Sequence, residues 1–379
     1  MFFSFECFSN EIVVSKGENS FTVKEKTSAS FKVYNHLNVI NSNIIKTEDG
    51  DFTKLTVPFY STNSDIGAPE LPSLKKLINI PAGANISVNV INKVSKIISL
   101  EDFGIQNLIL PNQPSISKSK SAEEIEFFYE KDFYNKDVFT NDELVSFEIL
   151  GSMREVQLAR IIISPISYNP VANEIEVVTN LEVEVNFSVK NKAINNPGYY
   201  SPEFEHLYKK CINYLPPSQE DIITTYPVKY VIVSDPLFQT AFQPLIEWKT
   251  KKGFNVIEAY TNDPNVGTTT NSIKAYVKNL YDNATLTDPA PTYLLLVGDL
   301  IQIPSFSGNS GSHITDLFYC EFDGSGDFYP EMYYGRFSAT TVAEVEIQVA
   351  KTLTHEKYLF ADPSFLDGIV RWNCFSSWS

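Results

Sequence analysis

The sequence predicts a β-rich, sandwich-like domain followed by an α/β domain with a doubly wound parallel sheet. Its length of 379 residues favours two domains. Residues 10 to about 190 largely alternate apolar and polar side chains, as in antiparallel sheets with one solvated face. After residue 226, apolar strands alternate with helical patterns, which is typical of a parallel sheet covered by helices on both faces.

Short strands and polar turns fill the first domain, which we place at residues 21–190. Segment 175–187 illustrates the pattern, since one of its faces is apolar and the other polar. Asn, Gly and Pro turns between such segments favour a sandwich. Residues 191–226 contain Asn-Pro-Gly and Leu-Pro-Pro-Ser and are predicted as a linker.

The second domain, residues 227–379, is predicted to begin with a strand at 228–233. A helix should follow, with Asp235 as its N-cap and Pro236 at its first position. The apolar face of this helix repeats every three or four residues, and a glycine ends it. These positions are Leu237, Ala241, Leu245 and Trp248, with Gly253 at the end.

Two further strands and two further helices complete the predicted sheet. Residues 255–260 form one strand, and residues 292–298 form an almost wholly apolar strand that is buried on both faces. Thr341 and Glu344 have the spacing of a capping box at the start of the last helix. The apolar faces comprise Ile273, Tyr276, Val277 and Leu280 in one helix, and Val342, Val345, Val349 and Leu353 in the other.

The two ends of the chain carry weaker signals. Residues 1–20 are interpreted as a leader remnant or disordered start, because Glu6 interrupts the apolar run and no basic region or cleavage site accompanies it. A signal peptide is therefore not convincing. Residues 368–379 follow neither a strand nor a helix period, and our hypothesis for this run is a frameshift, an assembly end or a truncated gene.

Charge and composition exclude several classes of protein. Lys plus Arg number 30 and Asp plus Glu 46, which gives a net charge of −16 and argues against nucleic-acid binding. The 27 Phe, 20 Tyr and 3 Trp exclude disorder over the whole length. No run of about 18 apolar residues occurs, so no transmembrane segment is predicted. Only 4 of the 30 basic residues are Arg, which indicates A/T-rich coding more than a functional choice.

The cysteines give no metal or catalytic signature by spacing. Cys7, Cys211, Cys320 and Cys374 are far apart, so a zinc site is excluded and free thiols are expected. Cys320 is near His313 in sequence, but nothing places the two side chains within the roughly 3 Å that a nucleophile and its base require. We interpret them as a buried Cys and an ordinary loop His.

Two acidic features follow the apolar strand at 292–298. Asp299, at its carboxyl end, is interpreted as a turn residue that caps backbone N–H groups, since no nucleotide-binding glycine motif is present. Farther on, after Asp316, the acidic residues Asp323, Asp327 and Glu331 surround two glycines. Oxygen ligands on such a loop suit Ca²⁺, and a solvated acidic turn is the alternative.

Several motifs stand in a fixed order along the chain. In the first half they are Gly67-Ala-Pro-Glu-Leu-Pro72 and Ile80-Pro-Ala-Gly83. In the second half they are Tyr230-Val-Ile-Val-Ser with Trp248-Lys and Lys252-Gly-Phe254, Tyr293-Leu-Leu-Leu-Val-Gly-Asp299 with Ile303-Pro304, Thr315-Asp-Leu-Phe-Tyr319, and Tyr334-Gly-Arg-Phe-Ser338. Together they resemble the precursors of gingipain-type cysteine peptidases, family C25 of clan CD.

This resemblance implies a β-rich inhibitory propeptide followed by the N-terminal part of a caspase-like peptidase domain. It implies a structural Ca²⁺ held by the carboxylates of Asp327 and Glu331, with the carbonyls of Gly324 and Tyr329. It also implies polypeptide substrates, the propeptide as an intramolecular inhibitor, and a secreted or cell-surface location. The family's specificity pocket lies largely beyond residue 379, so substrate preference is not predicted.

The chain departs from the family pattern in one respect that matters for activity. The family's catalytic His and Cys lie beyond residue 379, so we expect this chain to be inactive alone. Within the linker there is no Arg, and we therefore expect activation by cleavage at a Lys or by another protease. Two alternatives remain at this point: a non-catalytic binding or scaffold protein, and a relative that acts as a sorting transpeptidase in secretion.

Overall fold

The computed structural model describes residues 10–360 apart from residues 64, 82, 116–125, 141–142, 155, 190–196, 216–226, 310–312 and 325. Residues 191–196 and 216–226 of the predicted linker, and the whole C-terminal run, therefore lie outside the described residues. The chain divides into two compact units. Unit 1 comprises Met1–Ile149, Ala159–Lys192 and Lys210–Leu215, and unit 2 comprises Leu150–Leu158, Ala193–Lys209 and Pro216–Ser379.

Antiparallel strands build unit 1, as their two-residue sequence period requires. They form three sheets with the orders β1-β4-β5, β6-β7-β10-β9 and β11-β12-β3-β2, and β8 also pairs with β12. The strands are β1 Asn10–Val13, β2 Ser20–Lys24, β3 Ser30–His36, β4 Val39–Thr47, β5 Gly50–Thr56, β6 Ser61–Thr62, β7 Pro72–Ile80, β8 Ala84–Ser99, β9 Val145–Met153, β10 Val156–Ile163, β11 Ile166–Asn169 and β12 Glu174–Val189. A single turn of helix, α1, spans Lys131–Tyr134.

Apolar side chains from facing sheets make the core of unit 1. Val33 of β3 and Val183 of β12 pack with Ile78 of β7 and Ile161 of β10 in one continuous cluster. Alternate residues of β3 are buried, so the strand has one inward face. The β-rich, sandwich-like prediction is confirmed for this unit.

A β-strand lies within the segment 1–20, which corrects the prediction for this segment. Residues 1–20 were assigned to a leader remnant or disordered start, yet β1 begins at Asn10 and pairs with β4. Its Ile12 is completely buried in the same core cluster as Ile40 and Leu55. Burial of that side chain is what orders the segment.

Unit 2 is built on a four-stranded parallel sheet with the order β14-β13-β15-β18. Its helical segments alternate with the strands along the chain, and a two-stranded antiparallel ladder, β16-β17, lies between β15 and β18 in sequence. The elements are α2 Glu205–Tyr208, β13 Lys229–Ser234, α3 Gln243–Lys251, β14 Asn255–Tyr260, α4 Thr270–Asp282, β15 Tyr293–Val297, β16 Phe306–Ser307, β17 Ile314–Thr315, β18 Tyr333–Phe337 and α5 Val342–Glu356.

Helices cover both faces of this sheet, so it is doubly wound. On one face Leu294 and Leu296 of β15 pack with Ile273 and Val277 of α4. On the other face Leu295 and Val297 lie in a separate cluster with residues of α3 and α5, namely Leu245, Val345 and Val349. The prediction of an apolar strand buried on both faces is confirmed.

The predicted single helix after β13 is wrong in its first turns. A 3₁₀ turn occupies Pro236–Phe238, and α3 begins only at Gln243. Asp235 does cap the turn, since its carboxylate accepts from the N–H of Leu237 at 2.8 Å. Leu237 is exposed, whereas Phe238 and Phe242 are completely buried. We attribute the break between the 3₁₀ turn and α3 to the packing of these two rings, which the spacing of apolar residues does not reveal.

The other helix signals are reproduced closely. α4 contains the predicted apolar face, with Ile273 and Val277 completely buried. Thr341 and Glu344 form the predicted capping box of α5. Among the described residues, no helix is long and apolar enough to cross a membrane.

Replacing Leu296 by Ala tests the central role of β15. Leu296 is completely buried in the α4-side cluster, so Leu296→Ala should lower the free energy of unfolding by about 2–5 kcal/mol. Urea unfolding measures this change. Ile301→Ala in the following loop is the matched control, because Ile301 is 90% exposed, and its effect should stay within about 0.5 kcal/mol. Equal effects of the two substitutions would contradict the assigned core.

Candidate functional site

At the carboxyl ends of the parallel strands in unit 2, hydrogen bonds of Asp299 connect the segments that follow β15 and β18. Its N–H donates to the carbonyl of Ala339 at 2.8 Å. The hydroxyl of Ser338 donates to the Asp299 carboxylate at 3.0 Å. Asp299 was predicted to cap backbone N–H groups, but its side chain instead receives this hydroxyl and so joins the ends of β15 and β18.

Arg336 of β18 organises the segment after β15. Its guanidinium donates to the carbonyls of Gly298 and Ile303 at 2.9 and 2.8 Å. It also makes a two-point ion pair with Asp316 at 2.7 and 2.8 Å. Asp316 thus neutralises a mostly buried cation and does not join the other acidic residues.

The acidic residues Glu321, Asp323, Asp327 and Glu331 lie in the segment that leads into β18, here called the acidic loop (residues 321–331). Because this loop precedes β18, it lies at the amino end of that strand, whereas Asp299 follows the carboxyl end of β15. The N–H of Glu331 donates to the carbonyl of Cys320 at 2.8 Å. The loop is therefore closed at its base before the strand begins.

Asp327 is fixed by two backbone donors. Its Oδ1 accepts from the N–H of Tyr329 at 2.8 Å, and its Oδ2 accepts from the N–H of Ser152 at 2.6 Å. A Cβ atom on Gly151 would come within 2.4 Å of the same carboxylate. Only glycine permits this close approach, and its φ of +144° is also one that side chains avoid.

Glu331 is the most enclosed carboxylate of the loop. It is 1% exposed. Its Oε2 accepts from the N–H of Phe322 at 3.1 Å, while its buried Oε1 has no hydrogen-bond partner within the described part of the protein. Such an oxygen is costly unless a proton or a cation satisfies it.

Burial and neighbouring charge raise the pKa values of two carboxyl groups in the acidic loop, those of Glu331 and Asp323. Burial raises the pKa of Glu331 from 4.5 to about 9, and the charges of Asp323 and Asp327 add to the shift. Burial also raises the pKa of Asp323, together with the charge of Asp327. Glu331 therefore favours its neutral form at pH 7 in the absence of a counter-charge.

Carboxylate oxygens are ligands that suit a hard cation. The buried Glu331 Oε1, which has no hydrogen-bond partner among the described residues, is the oxygen that such a cation would satisfy. Within the described ranges, however, no three Asp, Glu, His or Cys side chains form a group that could hold a metal. Carbonyl oxygens would have to complete the ligand set. The carbonyl of Gly324, a predicted ligand, accepts a hydrogen bond from the N–H of Asp327 at 3.4 Å. Tyr329, the other predicted carbonyl ligand, donates its N–H to the Asp327 carboxylate.

The described thiols are structural. Cys211 and Cys320 are free and buried. Burial raises the pKa of the Cys211 thiol to about 11 and that of the Cys320 thiol well above its ordinary value. A nucleophilic cysteine needs the opposite shift. His313 is exposed, which agrees with its interpretation as an ordinary loop residue.

Sequence reasoning missed Arg154, which is buried and donates to three backbone carbonyls beside the acidic loop. The low number of Arg residues is interpreted from the sequence as an effect of A/T-rich coding. In the structure, however, both Arg154 and Arg336 donate to several backbone carbonyls. Nη1 of Arg154 donates to Pro291 O at 2.9 Å and to Glu331 O at 2.7 Å, and Nε donates to Tyr199 O. Because the partners are carbonyls distant in sequence, no spacing rule could have found them.

The protonated state of Glu331 gives a testable pH dependence. Since its folded pKa is raised to about 9, the folded chain retains a proton that the unfolded chain releases above pH 4.5. The free energy of unfolding should therefore fall as the pH rises through this window. Glu331→Gln mimics the neutral acid and should be more stable than wild type by more than about 1 kcal/mol at pH 8 with EDTA, with the difference shrinking toward pH 4.5.

Chemical denaturation at several pH values measures this effect. Glu346→Gln, an exposed position on α5, is the control and should leave the pH profile unchanged. A wild-type profile that Glu331→Gln fails to flatten would show that Glu331 is already ionised in the folded protein.

Two family models match the chain. The model of Propeptide_C25 matches residues 18–198, and that of Peptidase family C25 matches residues 223–371. Lys-gingipain W83 of Porphyromonas gingivalis is 34% identical over 91% of this chain, and Gingipain R1 of the same species is 24% identical over 82%. The chain spans about one fifth of the length of the Lys-gingipains that it matches.

Two solved structures also match part of the chain. A structure on zymogenic latency of gingipain K from Porphyromonas gingivalis is 32% identical, with a TM-score of 0.46, and the match covers 48% of this chain and 98% of that one. A complex of Porphyromonas gingivalis RgpB pro- and mature domains is 21% identical, with a TM-score of 0.43 and coverages of 52% and 98%.

The two family models together leave little of the chain unassigned, and they follow one another in the order of a precursor. Neither the scaffold-protein alternative nor the sorting-transpeptidase alternative receives support from these matches. The resemblance inferred from the ordered motifs is confirmed. The chain belongs to the gingipain-type cysteine peptidases of family C25, of which it carries the propeptide and part of the peptidase domain.

Proposed function

We propose that this chain is the N-terminal part of a latent cysteine endopeptidase precursor. The observation that carries the proposal is the succession of a C25 propeptide match and a C25 peptidase match along one chain. In the longer protein, a Cys thiolate activated by His would attack the peptide carbonyl and form an acyl-enzyme. Backbone N–H groups would stabilise the tetrahedral intermediate.

Neither described thiol is suited to that role. Cys320 is completely buried beneath α4 with Tyr319 and Met332, and its raised pKa keeps the thiol protonated. Unit 2 therefore contributes the framework of the peptidase domain. The nucleophile and its base come from strands downstream of α5, where the family pattern places them.

Activation is proposed to occur by cleavage between the two family matches. That interval contains lysines but no arginine, and the relatives named Lys-gingipains share more identity with this chain than those named gingipains R. Both observations favour a cut after Lys and a preference of the mature enzyme for Lys. The location proposed for such a peptidase is the cell surface or the medium, which it would reach by export.

The acidic loop is proposed as a structural calcium site, with carboxylates from Asp327 and Glu331 and carbonyls from Gly324 and Tyr329. The support is chemical: Glu331 Oε1 is buried without a partner, and adjacent carboxylates repel one another. A divalent cation would neutralise this charge and satisfy the oxygen. Glu331 would then be ionised at neutral pH.

Calcium should raise the thermal stability of the 379-residue chain. At a hundredfold excess over its dissociation constant, a bound ion adds about 2.7 kcal/mol, measured as the difference in Tm between CaCl₂ and EDTA. Asp327→Asn and Glu331→Gln should remove the difference. Asp282→Asn, at an exposed ion pair with Lys278 on α4, should retain it. An unchanged calcium effect in the two loop variants would refute this ligand set.

Peptidase activity is tested on the longer precursor. Thiol-dependent hydrolysis that iodoacetamide blocks should appear once residues 18–198 are removed, and the 379-residue chain alone should hydrolyse no peptide. Cys320→Ala in the longer precursor should keep its activity, because this thiol is buried away from solvent. Activity from the 379 residues, abolished by Cys320→Ala, would overturn the assignment.

A further inference from the structure

The hairpin tip, residues 150–158 at the turn between β9 and β10, belongs to unit 2 although most of both strands belongs to unit 1. The propeptide model covers residues 18–198 and therefore includes this tip. A stretch of the propeptide is thus part of the compact unit that carries the peptidase match.

Arg154 stands at the turn itself, in a left-handed conformation with φ of +57°. Asn or Gly is the usual residue at such a turn, and a longer side chain there is mildly strained. Arg154 is nevertheless only 6% exposed. Its side chain, rather than its backbone preference, accounts for its presence at this position.

The surroundings of Arg154 form a pocket for a guanidinium. Beyond the carbonyls of Tyr199, Pro291 and Glu331, a fourth carbonyl, that of Ala290, lies 3.4 Å from Nη2. Hydrogen bonds from a charged donor to carbonyls are stronger than neutral ones and compensate the loss of hydration. The acceptors come from three separate segments of unit 2, which one planar group joins.

Aromatic rings complete the pocket. The Arg154 Cζ lies 5.3 Å from the ring centre of Phe204 and 5.4 Å from that of Tyr281. Tyr281 is itself stacked on Tyr199 at 4.7 Å, and Phe204 on Tyr333 at 4.5 Å. The cation therefore lies between rings that are already held in place, which favours a guanidinium over an ammonium.

A second attachment lies two residues before Arg154. The N–H of Ser152 donates to Asp327 of the acidic loop at 2.6 Å, and the close approach of Gly151 to the same carboxylate leaves no room for a side chain. The tip is thus bonded at Ser152 and Arg154, and the hydroxyl of Tyr208 also donates to the carbonyl of Met153 at 3.4 Å. Of these, only Arg154 engages the amino ends of both β15 and β18.

We propose that the Arg154 pocket is a latch that retains the propeptide on the peptidase domain after the chain is cut between them. The pocket is an arginine-binding site whose occupant is the hairpin of the same precursor. Activation would then need two events, cleavage of the chain and withdrawal of Arg154. This inference rests on the proposed zymogen organisation, since it assigns the tip to a propeptide that must leave.

The test uses the 379-residue chain with a specific protease site inserted within residues 190–196. A cut there places Arg154 on one fragment and its partners from Tyr199 onward on the other. Wild-type fragments should co-elute in gel filtration, and surface plasmon resonance should give slow dissociation. Arg154→Ala should dissociate on the order of a hundredfold faster, because it leaves several buried carbonyls unpaired.

Two conservative variants separate the latch from a general loss of folding. Arg154→Lys keeps the charge and Arg154→Gln keeps an N–H donor pair, and both should dissociate at rates between those of wild type and Arg154→Ala while the uncut chains retain cooperative unfolding. Arg160→Ala is the matched control, because Arg160 lies on the same hairpin in a partly exposed ion pair with Glu148 at 3.4 Å. It should dissociate like wild type.

Dissociation of Arg154→Lys and Arg154→Gln fragments at the wild-type rate would overturn the latch, as would equal acceleration by Arg160→Ala. These measurements need neither peptidase activity nor calcium. A retained latch in a longer precursor without peptidase activity would therefore contradict the proposed function alone.

Discussion

Parallel pairing of four strands is the constraint on which the arrangement of unit 2 depends. Successive parallel strands require crossover connections, and these connections cover both faces of the sheet. β15 consequently reads as an unbroken apolar run, with Leu294 and Leu296 facing α4 and Leu295 and Val297 facing α3 and α5. The same pairing places Asp299 at the carboxyl ends of the strands and the acidic loop at their amino ends.

Buried charge at the two ends of the strands needs compensation, which the described residues supply for Arg336 and Arg154 but only in part for Glu331. Arg336 is balanced by the carboxylate of Asp316 together with neighbouring carbonyls. Arg154 is surrounded by carbonyls and aromatic rings. Glu331 receives one backbone N–H and keeps an unsatisfied oxygen, which is why its pKa rises and why this residue, among the described carboxylates, gives the calcium proposal its physical basis.

The acidic loop and the hairpin tip share their attachment points. Asp327 accepts the N–H of Ser152, and the carbonyl of Glu331 accepts Arg154. A cation that ordered Asp327 and Glu331 would therefore order the acceptors of the tip as well. Under the two proposals, retention of the propeptide and stability of the loop would be connected through Asp327 and Glu331.

The sequence by itself determined the two fold classes, the capping box of α5, the double-sided burial of β15 and, through ordered motifs, the family. These are local or periodic signals, set by side-chain spacing within single elements. Only the tertiary structure decided the break before α3, where Phe238 and Phe242 are buried together, the pairing of Asp316 with Arg336, and the environment of Arg154. Each of these depends on contacts between segments far apart in sequence, and a guanidinium that binds main-chain carbonyls leaves no pattern in the residues it binds.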